Sequence, residues 1–219
     1  MNAMEYIGKL TETKGKQFVT FELSEELDIA EISRFSNDGI IKASIQFEDN
    51  RKLSVDQRKK AYALIRDIAL WSVSEPEYIK AWMKYYFIVD TGTEYFSLGN
   101  CDMTTARLFI TYLIDFCFKW NVPFRDKGLD VADDIGKYLW LCIKHRKCAI
   151  SGKPADIHHV DAIGAGRDRR TIDHSKHELI ALSREYHEEA HKIGWETFSR
   201  KYQVYGIRLS KEDIKRLGI

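Results

Sequence analysis

No C-x-x-C pair occurs in the sequence. The four cysteines, Cys101, Cys117, Cys142 and Cys148, stand singly. That excludes a disulfide framework and a redox dithiol, and a reducing cytosol is the expected compartment. No apolar run approaches 18 residues before a charge interrupts it, so no membrane span is expected, and Met1 to Lys9 lacks the apolar stretch of a signal peptide. Internal repeats and low-complexity tracts are also missing. Net charge is small, +1 over 219 residues. It averages two unlike parts: Arg146 to Ile219 carries 15 basic and 11 acidic residues, whereas the first 145 residues carry 19 and 22. The basic end therefore lies in the last third, where a mild excess is only weak evidence for a polyanionic partner.

The hydrophobic pattern is more informative. Tyr6 to Leu23 alternates on both sides of Thr13-Lys14-Gly15-Lys16, which predicts a hairpin. Glu25 to Phe35 reads as a short helix and Ile40 to Phe47 as a strand. Ser54 fits the N-cap of a long helix to about Val73, with Ala61, Leu64, Ile65, Ile68, Ala69 and Trp71 at helical spacing. Pro76 suits the first turn of a second helix rich in aromatics, Trp82, Tyr85, Tyr86 and Phe87; the tyrosines and tryptophan of Trp82 to Tyr86 are expected in the core or at a dimer interface rather than as stacking platforms. Thr104 to Trp120 and Val131 to His145 give a third and a fourth helix. Beyond them, Cys148 to Ile150 and Ile157 to Val160 read as strands joined by Ser151-Gly152-Lys153-Pro154. A Gly- and Arg-rich loop, Gly164 to Arg170, then precedes a helix from Glu178 to about Tyr202. The expected fold class is α+β, with a mostly helical N-terminal α+β domain over 1–145 and a small second domain over 146–219.

Histidine is concentrated in one place. All seven histidines fall between His145 and His191, and His158, His159, His174, His177, His187 and His191 lie within 34 residues. His187 and His191, at i and i+4, share a helix face and can meet one metal ion. His158 and His159 are neighbours on a strand and point to opposite faces, so only one of the two can join them. Two metal chemistries compete. His187-Glu188-Glu189-Ala190-His191 matches the H-E-x-x-H helix of zinc proteases. That reading lacks a histidine at position 197, which is Thr197, and a methionine turn, since no methionine follows Met103; Glu212 is the remaining candidate for a third ligand. It also leaves the upstream histidines without a role.

The other reading uses both histidine groups. The segment from Cys148 through Asp156-Ile157-His158-His159-Val160, followed by Tyr186-His187 to His191 and the tail Ile193-Gly194 … Phe198 … Tyr202, resembles the HNH, or ββα-metal, nucleases of bacteriophage. The resemblance covers about 55 residues. It implies a ββα-metal fold for 146–219, with His158, His187 and His191 as ligands of a divalent cation and His159 as the base that activates water. Imidazole suits both jobs. Histidine ligands favour Zn²⁺, Ni²⁺ or Mn²⁺ over the all-oxygen site typical of Mg²⁺, without fixing the metal. The Asn that many such domains place after the base is absent; His174 and His177 are the two candidates for its role. The positions that hold a second, structural zinc in many members read Cys148/Ser151 and Ser183/Tyr186, so that zinc is not expected. Arg167, Arg169, Arg170 and Lys176 flank the site and are expected to hold phosphates; a solvated basic loop is the alternative.

The segment Arg51 to Lys60, with the Ile40 to Phe47 strand before it, and the later Met103 to Phe124 segment, a helix ending in Trp120-Asn121-Val122-Pro123-Phe124, resemble, more loosely, the Orf (NinB-like) recombination mediators of lambda-type phages. That resemblance implies a homodimer that binds single-stranded or branched DNA beside the host single-strand-binding protein, in the host cytoplasm. Arg51, Lys52, Arg58, Lys59 and Lys60 with Tyr62 are suited to a single strand, or form a solvated helix face. The functions in view are a phage-type recombination protein with an attached HNH nuclease, or a mediator whose HNH module binds DNA or metal without cutting.

Overall fold

The computed structural model describes residues 6, 8–15, 17–41, 43, 45, 51–160 and 173–219. The chain divides into two compact units, Met1–Glu48 and Asp49–Ile219.

In the first unit, β1 (Gly8–Lys14) and β2 (Phe18–Leu23) form an antiparallel hairpin. Gly15 takes the turn with φ of 63°, a left-handed conformation that costs glycine little. α1 (Ile29–Ser33) is shorter than the Glu25–Phe35 segment, because Asp28 caps it: its Oδ1 accepts the Glu31 N–H at 2.9 Å. The strand expected over Ile40–Phe47 is not formed by its described residues. Ile40 makes only an isolated bridge to Asn37, and Ile41, Ala43 and Ile45 carry no regular structure; the rest of that segment lies outside the described residues. None of the described residues of this unit is buried, and Phe18, Ile29, Phe35 and Ile40 are each more than half exposed.

The second unit is built on a helical core. α2 (Val55–Trp71) starts with a capping box, in which Ser54 Oγ accepts the Gln57 N–H and Gln57 Oε1 accepts the Ser54 N–H, both at 3.0 Å. Its apolar stripe, Leu64, Ile65 and Ile68, packs against α4 (Met103–Trp120), which buries Phe109, Ile110, Leu113 and Ile114. α3 (Pro76–Thr91) has Pro76 in its first turn and ends at the left-handed Gly92. It turns Ile79, Met83 and Phe87 inward. Tyr78, Trp82, Tyr85 and Tyr86 face solvent and pack on one another, edge to face for Tyr78–Trp82 and Trp82–Tyr85 and tilted for Trp82–Tyr86, so Trp82, Tyr85 and Tyr86 lie outside the core of the single chain. Three residues interrupt the expected fourth helix, leaving α5 (Gly128–Val131) and α6 (Ile135–His145). The break follows from two carboxylates that are worth more outside a helix. Asp134 caps α6 through the Lys137 N–H (2.9 Å), and Asp133 accepts from the buried Gln57 Nε2 (2.8 Å) and from Arg107 Nε (3.2 Å).

Buried Tyr138 of α6 donates its hydroxyl to Ala149 O at 3.0 Å, tying the helices to the segment that follows. Here the strand order differs from the sequence expectation. Cys148–Ile150 is not a strand; residues 146–155 fold back on themselves through Cys148 N–H to Lys153 O (2.7 Å) and Ala155 N–H to Arg146 O (2.9 Å). β3 (Asp156–His159) pairs antiparallel with β4 (Leu179–Leu182), inside the stretch expected to be helix. All four β4 residues are fully buried, and such a short apolar run shows neither helical nor strand periodicity. The helix begins only after Ser183, as α7 (Arg184–Ile193). It breaks at Gly194 (φ of 77°) before α8 (Trp195–Tyr202), and α9 (Lys211–Leu217) closes the chain. Among the described residues no helix is long and apolar enough to cross a membrane.

Candidate metal centre and active site

The alternation of β3 sends its two histidines to opposite sides. His158 is 4% exposed. Its ring lies 4.7 Å from that of His187 and 5.0 Å from that of His191, which lie 4.8 Å from each other one turn apart on α7. The three rings are steeply inclined to one another, at 71° to 81°. One ligand nitrogen from each falls within 4.8 Å of the other two. Trp195 lies against His158 at 5.9 Å and stacks on the fully buried Phe198. The cluster is thus graded from a buried member, His158, through half-buried His187 to exposed His191. Three imidazoles at this separation fit a divalent transition metal, and they leave room in its coordination shell for water or substrate.

His159, on the opposite face of the strand, meets a second histidine group. Its Nε2 lies 2.8 Å from His174 Nδ1, a single hydrogen bond between two imidazoles, with His177 at 6.0 Å ring to ring. His174 is held by a 3₁₀ turn, His174–Lys176, that Asp173 caps by accepting from the Ser175 N–H (3.2 Å) and hydroxyl (2.5 Å). The Ser175 hydroxyl bond, helped by nearby Lys211 and Lys176, keeps the Asp173 carboxyl below the usual carboxylate range. Of the two candidates for the missing Asn, His174 touches His159 directly; His177 is the more distant.

The basic residues fare unequally. Lys176 is exposed and lies 3.7 Å from Asp173 Oδ2. Arg167, Arg169 and Arg170, with the rest of the Gly164–Arg170 loop, lie outside the described residues. Arg58 donates from Nη2 to Gly99 O at 3.0 Å, Lys60 binds Asp56 and Ala132 O, and Lys59 is exposed. The acids of the H-E-x-x-H motif are engaged elsewhere. Glu188 Oε1 accepts from Arg184 Nε at 2.6 Å, and Glu189 accepts from Lys201 (2.6 Å) and the Tyr202 hydroxyl (2.8 Å). The third imidazole comes from upstream, on β3, and among the described residues no carboxylate joins the three. Sequence reasoning missed Asp173 and Lys211, which lie 3.8 Å apart beside His174. The 37 residues between them carry no pattern that announces the contact.

Comparison with known proteins supplies a family and extends the resemblance beyond the last third. Residues 24–218 match the family model described as "Putative HNHc nuclease". The match takes in the helices before residue 146 as well as the histidine segment, so the resemblance is not confined to the last third; the β1–β2 hairpin precedes it. Neither a curated protein nor a solved structure matches the chain. With the family model spanning nearly its whole length, the chain belongs to the HNHc nuclease family.

Proposed function

We propose that the protein hydrolyses phosphodiester bonds of DNA, with a divalent cation held by His158, His187 and His191 and with His159 as the general base. The observation that carries this reading is the split of adjacent histidines on β3: His158 joins a three-imidazole cluster and His159 bonds to His174. A bound cation supplies Lewis-acid stabilisation of the scissile phosphate and of the departing 3′ oxygen.

The protein's own groups do the rest. A neutral imidazole pair holds one N–H across the 2.8 Å contact. When the His159 ring takes the proton of the attacking water, its Nε2–H donates to His174 Nδ1, so His174 orients the base and stabilises the imidazolium. Trp195 and Phe198 pack behind His158 and keep that ligand from turning. Lys176 stands beside this group for a phosphate, and Arg167, Arg169 and Arg170 follow β3 in the chain.

In the fuller form of this reading, residues 146–219 are the catalytic module and 1–145 the part that binds DNA and dimerises. Single-stranded or branched DNA, a recombination role in a phage-infected cell and contact with the host single-strand-binding protein rest on the Orf-like sequence pattern around Arg58 and Lys59. The test is cleavage of single-stranded, branched and duplex DNA with Zn²⁺, Ni²⁺, Mn²⁺ and Mg²⁺ in turn. Cleavage that needs metal and disappears in His159→Ala supports the nuclease. Salt-sensitive DNA binding with no cleavage under any of these metals would sink it and leave a non-cutting mediator.

A further inference from the structure

A second concave site lies in the Asp49–Ile219 unit. A cleft of about 460 Å³ opens between the loop after α4, the start of α6 and the turn over residues 147–153. That volume is within the range of small-molecule sites, roughly 300–1,000 Å³. Among the described residues four cations line it, Arg125, Lys127, Lys147 and Lys153, against a single acid, Asp126. They come from different stretches of chain in a protein whose net charge is only +1, so their convergence is not a reflection of composition. Arg125 is neutralised, its Nε lying 2.7 Å from the buried carboxylate of Asp67. The lysines are not. Lys147 donates to a neutral group, Asn121 Oδ1, at 2.6 Å, and among the described residues neither Lys127 nor Lys153 has a carboxylate within ion-pair distance.

Aromatic rings form the other wall. Phe124 is half-buried and stacks on Phe118 at 5.5 Å and 27°, while Tyr138 is held in place by its bond to Ala149 O. A side chain at Gly128 would drive Tyr138 from that position, since a Cβ there would stand 2.1 Å from its hydroxyl. Flat apolar rings bordered by uncompensated ammonium groups match the two halves of a nucleotide, a stacking base and its phosphate. Lys153 is five residues before His158, so the cleft and the histidine cluster are at most about 17 Å apart along the chain. One nucleic-acid strand can reach both.

We propose that this cleft binds a nucleotide unit, with its base beside Phe124 and its phosphate on Lys127, Lys147 and Lys153. The nucleotide chemistry stands without the nuclease reading; that it belongs to a substrate strand rests on that reading. The experiment titrates the full-length protein, in chelator and without added metal, with a labelled thymidine oligonucleotide of about 12 nucleotides, within usual single-strand site sizes. Adenosine and thymidine monophosphate serve as competitors. Lys127→Ala/Lys153→Ala removes two exposed cations and should leave the melting temperature unchanged. It is expected to weaken oligonucleotide binding about ten-fold and to lower its salt slope by about 0.7, the amount for one phosphate no longer neutralised on a single strand. Phe124→Leu keeps the core filled and removes the ring; an affinity loss of about five-fold or more is expected. Weakened oligonucleotide binding with no competition by the mononucleotides assigns the cleft to a strand. Competition that the same substitutions abolish assigns it to a free nucleotide. Unchanged binding of both probes in both variants overturns the proposal. Because no metal is present, a protein that fails to cleave DNA leaves this result intact.

Discussion

His159 and His174 are joined by one hydrogen bond, Nε2 to Nδ1 at 2.8 Å, and only one of the two rings can donate in it. This asymmetry makes the pair testable. An Asn side chain places its Oδ1 near the position of a histidine Nδ1 and can accept the same bond, whereas Ala cannot. His174→Asn is therefore expected to keep the cleavage rate within a few-fold of the parent, and His174→Ala to lose about 10–100-fold. His159→Ala should lose about 10²–10⁴-fold, the usual worth of a positioned base. Single-turnover cleavage with saturating metal reads all three. Equal losses in His174→Asn and His174→Ala would show that His174 does not act through this bond.

The histidine cluster predicts different outcomes for its buried and its exposed members. At metal concentrations about 100-fold above the dissociation constant, binding to the folded state adds about 2.7 kcal/mol. His191 is exposed, so His191→Ala should unfold like the metal-free parent and gain almost none of that stabilisation. His158 is buried against Trp195. His158→Ala should lose the metal response and also about 2 kcal/mol of metal-free stability, through the cavity it leaves. Urea unfolding with and without Zn²⁺ separates the two effects. A metal-dependent gain that persists in His191→Ala would remove it from the ligand set.

How much of this could be read in advance depended on the range of the interactions. Ser54 and Pro76 are local signals that act within one helical turn, and both mark their helices; the Gln57 half of the capping box is seen only in the structure. The opposite facing of His158 and His159 follows from strand geometry alone. Leu179 to Leu182 gave no comparable signal. Four consecutive buried apolar residues have no period, so by pattern alone the run merges with the helix behind it and Cys148–Ile150 stands as the partner of β3. Asp133 was misleading for the converse reason: it looks helical until Gln57 and Arg107 arrive from elsewhere in the chain. Likewise, the approach of His174 to His159, and of Lys211 to Asp173, depends on tertiary closure.

Acid stability should be governed in part by Asp115. Burial alone would push its carboxyl up, but hydrogen bonds from His145 Nε2 (2.6 Å) and Lys144 Nζ (2.8 Å) outweigh burial and hold it below the ordinary range. A carboxyl whose pKa is lower in the folded chain stabilises the fold at pH values above the unfolded value, about 3.9. That contribution is lost as pH falls through the lower, folded value. About a third of each side chain of the Asp115–Lys144 pair remains exposed. Asp115→Asn is therefore expected to cost only about 1 kcal/mol at pH 7. The gap between the variant and the parent should close below about pH 4. Urea titrations at pH 7 and pH 3 check it, and a gap that widens in acid would contradict the assignment.

Two serines at helix starts should respond to alanine with opposite signs. Ser54 makes both bonds of its capping box, and Ser54→Ala should destabilise by about 1 kcal/mol. Ser183 occupies the same position before α7, with the extended backbone of an N-cap, yet its side chain makes no capping bond. Its hydroxyl is buried and, among the described residues, has no hydrogen-bond partner. Removing a cap that caps nothing costs little, while removing a buried, unsatisfied hydroxyl relieves a desolvation penalty of roughly 1–3 kcal/mol. Ser183→Ala is thus expected to stabilise the fold, by up to about 1 kcal/mol once the lost packing of the oxygen is counted. Denaturant midpoints for the two variants decide the matter. A destabilised Ser183→Ala would mean that the hydroxyl caps α7 in solution, and would assign that helix start the same local logic as α2.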